Sequence, residues 1–388
     1  MPSLLSAPPL LHMIVLAVLA HLVLSGMRIT TSLYALSLHA SPMVVGSLVS
    51  VLALLPVFFA VSAGRWQDRV GLARPLQVGG LCLLLGCGLL LLVKNLAALY
   101  IAAGLIGVGF MLVHIASQNM VGMVSSSETR AANFSWLALG FSTSGFCAPV
   151  VAGFIIDHFG HHTSYLLFSG IALLALLLIW HGKMVLPIIS KPDLPQQARS
   201  NSVLDLFWHN KDMREIYLIG ITLASAWEMF AFVIPIQGTQ QGFSAATIGL
   251  ILGCFAAATF VVRLAMPYIA RHWHEWQILR LVLSITCLSF LILPWLDQAW
   301  SMMLLAFVLG LGLGGSQPNM LNLLHQAAPP ERAAEAIGIR VTIGNASQVV
   351  LPLTFGVLGT SLGLLPVFVG MSAIVAIGLP TVWRRARA

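Results

Sequence analysis

Four polar residues recur at helical spacing near the start of the chain: His21, Ser25, Arg28 and Ser32, separated by four, three and four positions. That spacing sets all four on one face of a helix, while the remaining faces are Leu, Val and Ala. Arg28 offers a planar fork suited to a carboxylate or phosphate. His21 offers a ring that titrates near neutrality. Glu228 is the acidic residue set deepest inside an apolar run, and Arg263 and Arg340 sit in apolar runs that supply no acidic partner of their own. A charge at bilayer depth costs roughly 2.5–3.5 kcal/mol on insertion scales, so such groups are candidates for function. His114 and Gln118 stand at i, i+4, and Gly315, Asn319, Asn322 and Gln326 form a further stripe. Amide side chains orient a polar ligand through paired donors and acceptors, or they tie neighbouring helices together. Both readings stay open here. The set as a whole points to binding of an anionic, carboxylate-bearing compound by Arg28, Arg263 and Arg340, with His21, Ser25, His114, Gln118, Asn319 and Asn322 beside them. Glu228 is the candidate proton carrier and His21 the second. A Glu228 fixed in a pair with Arg28, serving only to close one end of a cavity, is the competing reading.

These residues need elements that hold charge inside apolar surroundings. Of 388 residues, 59% are hydrophobic and 8% charged, against about 45–50% and about 25% in soluble domains. The chain therefore reads as an integral membrane protein. Twelve apolar runs are long enough to cross a bilayer: near 11–37, 43–63, 76–93, 97–123, 131–156, 163–182, 214–236, 245–268, 277–294, 299–323, 334–359 and 363–383. Backbone N–H groups cannot be left bare in lipid, so each run must be helical. Arg65, Arg69, Arg74, Arg130, Lys183, Arg214, Arg271, Arg280, Arg332 and Arg384 fall in alternate loops or the C-terminal tail, which sets that side and both termini in the cytoplasm. The net charge of +7 has this topological explanation. The basic residues are sparse and lack aromatic interleaving, so nucleic acid is not an expected partner. Five cysteines lie in apolar runs without metal spacing. No basic segment precedes the first run, so it is expected to remain as a span.

Residues 183–212 form the longest polar stretch and divide the chain into a six-span half, 1–182, and a second, 213–388. The halves align without a gap at an offset of 203. Gly107 and Gly109 fall on Gly310 and Gly312, Asn119 on Asn322, and Glu128 on Glu331. Pro149 and Gly153 fall on Pro352 and Gly356, Gly46 on Gly249, and Ser41 on Ser244. Parallel repeats of six spans are one transporter design, with the substrate site at the repeat interface.

The polar stretch "GRWQDRVGLAR", Gly64 to Arg74, resembles the loop-2/3 signature of the major facilitator superfamily. Gly64, Asp68, Arg69 and Gly71 sit in register, Arg74 is slightly shifted, and Leu72 and Ala73 replace basic residues. The resemblance implies an all-α membrane fold of twelve helices in two pseudo-symmetric halves that alternate access to a central cavity. It also implies a latch, in which Asp68 meets the N-terminal end of span 11 and Arg69 meets Glu128. "GFSTSGFCAPVVAG", Gly140 to Gly153, resembles the antiporter signature of drug:proton exchangers through Gly145, Pro149 and Gly153. Ala148 and Ala152 stand where Gly is usual, and Ala103 stands near the place of an expected Arg. Close helix packing plus a Pro kink explains the same residues.

The resulting expectation is a monomeric, multi-pass transporter of a bacterial inner membrane that needs no cofactor or metal and performs no catalysis. It exports a small anionic or amphipathic compound in exchange for protons, with proton-coupled uptake of an organic acid as the alternative. A remote rival is a membrane metalloenzyme, because "DHFGHH" (Asp157 to His162) carries His-x-x-His-His. The topology sets that box and the pair His272 and His274 on opposite sides.

Overall fold

The computed structural model describes residues 8–93, 95–125, 130–181, 211–269, 272–327 and 333–387. Its elements are helices: α1 (Pro8–Ser37), α2 (Pro42–Val70), α3 (Ala73–Leu92) and α4 (Leu96–Val124), then a continuous run Arg130–His181. Gly160 breaks that run with φ 80° and ψ 169°, a conformation only glycine adopts without strain. The break divides it into α5 (130–159) and α6 (161–181). After these come α7 (Lys211–Gln240), α8 (Ala245–Ile269), α9 (Glu275–Ile292), α10 (Ala299–Ala327), α11 (Ala333–Leu362) and α12 (Leu364–Arg385). Phe58, Leu92, Trp295 and Ile377 are each more than two-thirds exposed. Such outward apolar surface is a liability in water and the ordinary state of a wall facing lipid.

Two expectations are corrected. The stretch read as a loop, Gly64 to Arg74, is mostly helix, since α2 runs through Gly64 and Arg69 to Val70. Ala63 and Gln67 are buried, and the Gln67 amide donates to the Leu112 carbonyl of α4 at 2.9 Å. The helix stops at Gly71, whose φ is 77°. Likewise, Arg384 and Arg385 close α12 rather than lying in a tail. Arg384 pairs with Glu215 at 2.6 Å, and Arg385 with Glu215 at 2.8 Å and with Asp212. Since α7 begins at Lys211, the last two residues of the expected linker are helical. Residues 182–210 lie outside the described residues.

The offset of 203 recurs in the contacts. A Cβ on Gly107 would lie 2.0 Å from the Leu52 carbonyl oxygen, and one on Gly310, 2.4 Å from that of Phe255. The same holds for Gly46 against Pro352 O (2.1 Å) and Gly249 against Pro149 O (2.3 Å). Gly153 against Ala245 O (2.2 Å) has its counterpart in Gly356 against Pro42 O (2.8 Å). Each residue of the second member of a pair is 203 positions from its counterpart. Small residues permit this approach of helix backbones, which dispersion then stabilises in the absence of a hydrophobic drive between helices. The positive-φ positions repeat too: Gly160 with Gly363, and His39 with Gly242.

The helices gather into two compact units. The first comprises the described residues up to 40, 47–181 and 238–253. In it α1 packs on α4, α5 and α6, and α3 on α4 and α6. Leu10, Ile14, Ala17, Val121 and Leu137 form one buried cluster, and Ala63, Met111 and Leu112 another. The second unit comprises 41–46, the described residues 211–237, and 254–387. Here α9 packs on α10 and α12, and α11 on both of the latter.

Candidate functional site

In the first unit the polar stripe of α1 meets α4 and α5. His21 Nδ1 lies 2.7 Å from Ser144 Oγ and 3.5 Å from Ser25 Oγ. The His21 ring also lies against Phe110 and Phe141, at centroid distances of 5.6 and 5.1 Å. His114 joins the same group, 5.2 Å from Phe110 and 5.1 Å from Phe141. The Gln118 amide donates to His114 Nε2 at 2.9 Å. Spacing had set His21 and His114 in separate groups, and the fold brings them to one aromatic cluster. Arg28 is half-buried. Ser32, the last of the stripe, donates back to the Arg28 carbonyl at 2.7 Å, so its hydroxyl serves its own helix.

The second unit holds a cavity of about 300 Å³, lined among others by Trp227 and Glu228 of α7, Arg263 of α8, Gln317 of α10, and Arg340 and Gln348 of α11. Two guanidinium groups and one carboxyl share this space, for a formal charge of +1 when all are ionised. Arg263 Nη2 donates to Gln317 Oε1 at 3.2 Å. Desolvated walls strengthen such electrostatics, and two forked donors beside apolar Trp227 suit a carboxylate carried on an apolar body. Glu228 had been placed opposite Arg28, and Arg263 and Arg340 with the amide stripe. In the structure those three line one cavity.

Most of that stripe lies elsewhere. Asn319 donates to the Gly315 carbonyl of its own helix at 2.6 Å. Asn322 and Gln326 donate to Glu275 Oε1 in the first turn of α9. Those contacts join α10 to α9, the interhelical role that had stood beside ligand binding. Of the expected latch, Gly64 and Arg69 belong to the last turns of α2, Gly71 follows it, and Arg74 begins α3. Arg69 and Arg74 are exposed. Glu128 and the side chain of Asp68 lie outside the described residues. Of the antiporter-like residues, Pro149 and Gly153 are points where α5 meets α8, and Gly145 faces His21, with a Cβ there 3.9 Å from its Cε1.

Asp157 has a part that spacing did not reveal. Its two carboxylate oxygens accept from the N–H groups of Ala245 and Ala246, each at 2.7 Å, capping α8. The position 203 residues on is Thr360, whose hydroxyl accepts from the Met43 N–H of α2 at 3.0 Å. The neighbouring histidines do not form a metal box: His158 Nδ1 lies 3.0 Å from the Phe154 carbonyl, and the His161 ring packs on Tyr34. Among the described residues, no three His, Cys, Asp or Glu gather as metal ligands. Gln317 and buried Glu215 were also missed. Gln317 sits in a glycine-rich run with no polar periodicity. Glu215 carried one signal, lying three residues beyond Asp212 on the same face of α7.

Comparison with known proteins gives concordant matches. The family described as Major Facilitator Superfamily matches residues 13–352 and 216–388. The class B tetracycline resistance protein of Escherichia coli is 25% identical over 321 residues, 81% of this chain and 78% of that protein. A di-/tripeptide transporter of Lactococcus lactis is 24% identical over 203 residues, 51% of this chain and 38% of its own length. A crystal structure of a peptide transporter, POT, superposes with a TM-score of 0.80 at 17% identity, covering 97% of this chain and 95% of that one. The last likeness concerns the fold.

Proposed function

The chain belongs to the major facilitator superfamily, and from that premise we propose that it carries a small organic acid across a bacterial inner membrane together with a proton, by alternating access. One observation carries the reading: Arg263, Arg340 and Glu228 line one cavity. An ionised Glu228 competes with an incoming carboxylate for the two guanidinium groups and repels it. A protonated Glu228 no longer competes for them. Proton and anion therefore favour each other's binding, and by linkage the coupling is reciprocal. Mutual support of this kind suits co-transport. The sequence had put export against protons first, and the cavity's charge arrangement reverses that order.

Export in exchange for protons remains a second reading, supported by the likeness to the tetracycline resistance proteins over most of the chain. In both readings the basic loops and both termini face the cytoplasm, residues 183–210 link two six-span halves, and His21, beside Ser144, is a subsidiary proton site. Asp68, with Arg69 and Glu128, is proposed to latch one end of the molecule through the N-terminus of α11.

Binding of butanoate to protein in lipid nanodiscs tests the coupling. Affinity falls as pH rises in the wild type, because the proton on Glu228 is lost. Glu228→Gln, fixed in the neutral state, keeps the high affinity and flattens the profile. A wild-type affinity independent of pH, or an unchanged slope in Glu228→Gln, overturns the reading.

A further inference from the structure

The second unit contains another concavity on the far side of the α8–α10 seam. It is a groove of about 650 Å³ walled by Ala265 and Met266 of α8, Leu281 and Ile285 of α9, and Gly312 and Gly315 of α10. Both its size and its apolar lining are those of a small-molecule site. Tyr268 and Trp273 line it with His272, 69% and 45% exposed. Such amphipathic rings sit at the level of lipid headgroups. Val261 and Leu281 of its lining are 47% and 48% exposed, the outward apolar surface expected of a groove that opens toward lipid.

The groove and the cationic cavity share one thin wall. On α8, Arg263 lines the cavity while its neighbour Val262 lines the groove. On α10, Ser316 and Gln317 line the cavity while Gly315 lines the groove. Backbones meet closely at Gly310 and Gly314, where an added Cβ would lie 2.4 Å from Phe255 O and 2.7 Å from Thr259 Cα. Farther along the seam, the closure consists of side chains. The Met266 methyl lies 3.0 Å from a Cβ placed on Gly315, and Arg263 is bonded to Gln317 at 3.2 Å. A thioether rotates readily, and the Arg263–Gln317 bond joins side chains, one half-buried and one exposed, so that rotamer changes shift this part of the closure.

We propose that the groove takes the acyl chain of a single-chain organic acid, whose carboxylate passes the Arg263–Gln317 bridge from the bilayer into the cavity. Charge argues for this occupant. Arg263 stands on the wall between an apolar groove and a cavity carrying a second guanidinium, so an anionic head and an apolar tail find complementary surroundings on the two sides. The proposal rests on the anion reading of the cavity.

The test measures binding of dodecanoate, butanoate and dodecyltrimethylammonium to protein in nanodiscs. Eight more methylenes, leaving lipid rather than water, keep only a small part of the ordinary burial gain, which makes dodecanoate bind roughly tenfold tighter than butanoate, and tighter than the cation with the same tail. Ala265→Trp, which fills the groove, removes that advantage and leaves butanoate binding unchanged. Equal affinity for dodecanoate and butanoate, or an advantage that survives Ala265→Trp, overturns the groove. Equal affinity for the cation overturns the head-group assignment. Insensitivity of butanoate binding to Arg340→Ala counts instead against the cavity reading beneath it. Should Ala265→Trp fail to fold, a dodecanoate with a terminal diazirine, photolysed with the wild type, labels α8, α9 and α10 at the groove and is displaced by excess dodecanoate. Labelling spread over other lipid-facing helices overturns the proposal.

Discussion

Arg340 and Arg263 line a cavity together, whereas Arg384 and Arg385 close a helix end. A guanidinium in that setting gives charge-assisted hydrogen bonds worth about 1.5–3 kcal/mol each, or roughly 10- to 100-fold in affinity. Arg340→Ala should therefore weaken butanoate binding by about that factor, measured by titration in nanodiscs, and Arg340→Lys should recover only part because a point charge lacks the fork. The residue types of this site were legible in the sequence, since an Arg or Glu inside an apolar run is conspicuous. Their grouping was not. Spacing fixes which residues share a face of one helix, whereas the rotation of one helix against the next decides which faces meet. Asn322 shows the consequence, pointing to Glu275 of α9 although its own stripe on α10 is regular.

Among the helices, the repeat was the most readable feature. Gly107, Gly310, Pro149 and Pro352 could be paired from the sequence because close backbone approach admits few residue types. The same pairs recur as contacts. Chemistry at equivalent positions can still diverge. Asp157 accepts from two N–H groups of α8 with a charged carboxylate, and Thr360 from one N–H of α2 with a neutral hydroxyl, because Pro42 has no N–H to offer. An N-terminal cap contributes about 1 kcal/mol, and a carboxylate adds its interaction with the helix dipole. Asp157→Ala should lower the thermal unfolding midpoint more than Thr360→Ala, with Asp157→Asn between them, as read by intrinsic fluorescence. Equal shifts would remove the charged cap from the account. Asp157 was hidden in the sequence because its partners are backbone groups 88 and 89 residues away, which leave no mark in residue type.

At the scale of the molecule, twelve helices in two repeated halves supply the frame, and the cavity of the second unit gives it chemical direction. Membership of the superfamily leaves the coupling to be set by local charge, and here a carboxyl shares its cavity with two guanidinium groups. On the proposed reading, that arrangement makes proton and organic anion partners instead of competitors. The most direct measurement uses proteoliposomes with no membrane potential and an imposed pH gradient, acid outside, loaded equally with radiolabelled butanoate on both sides in excess over passive leak. The account predicts net inward movement of butanoate by the wild type and none by Glu228→Gln. Net outward movement under the same gradient would contradict it and establish exchange.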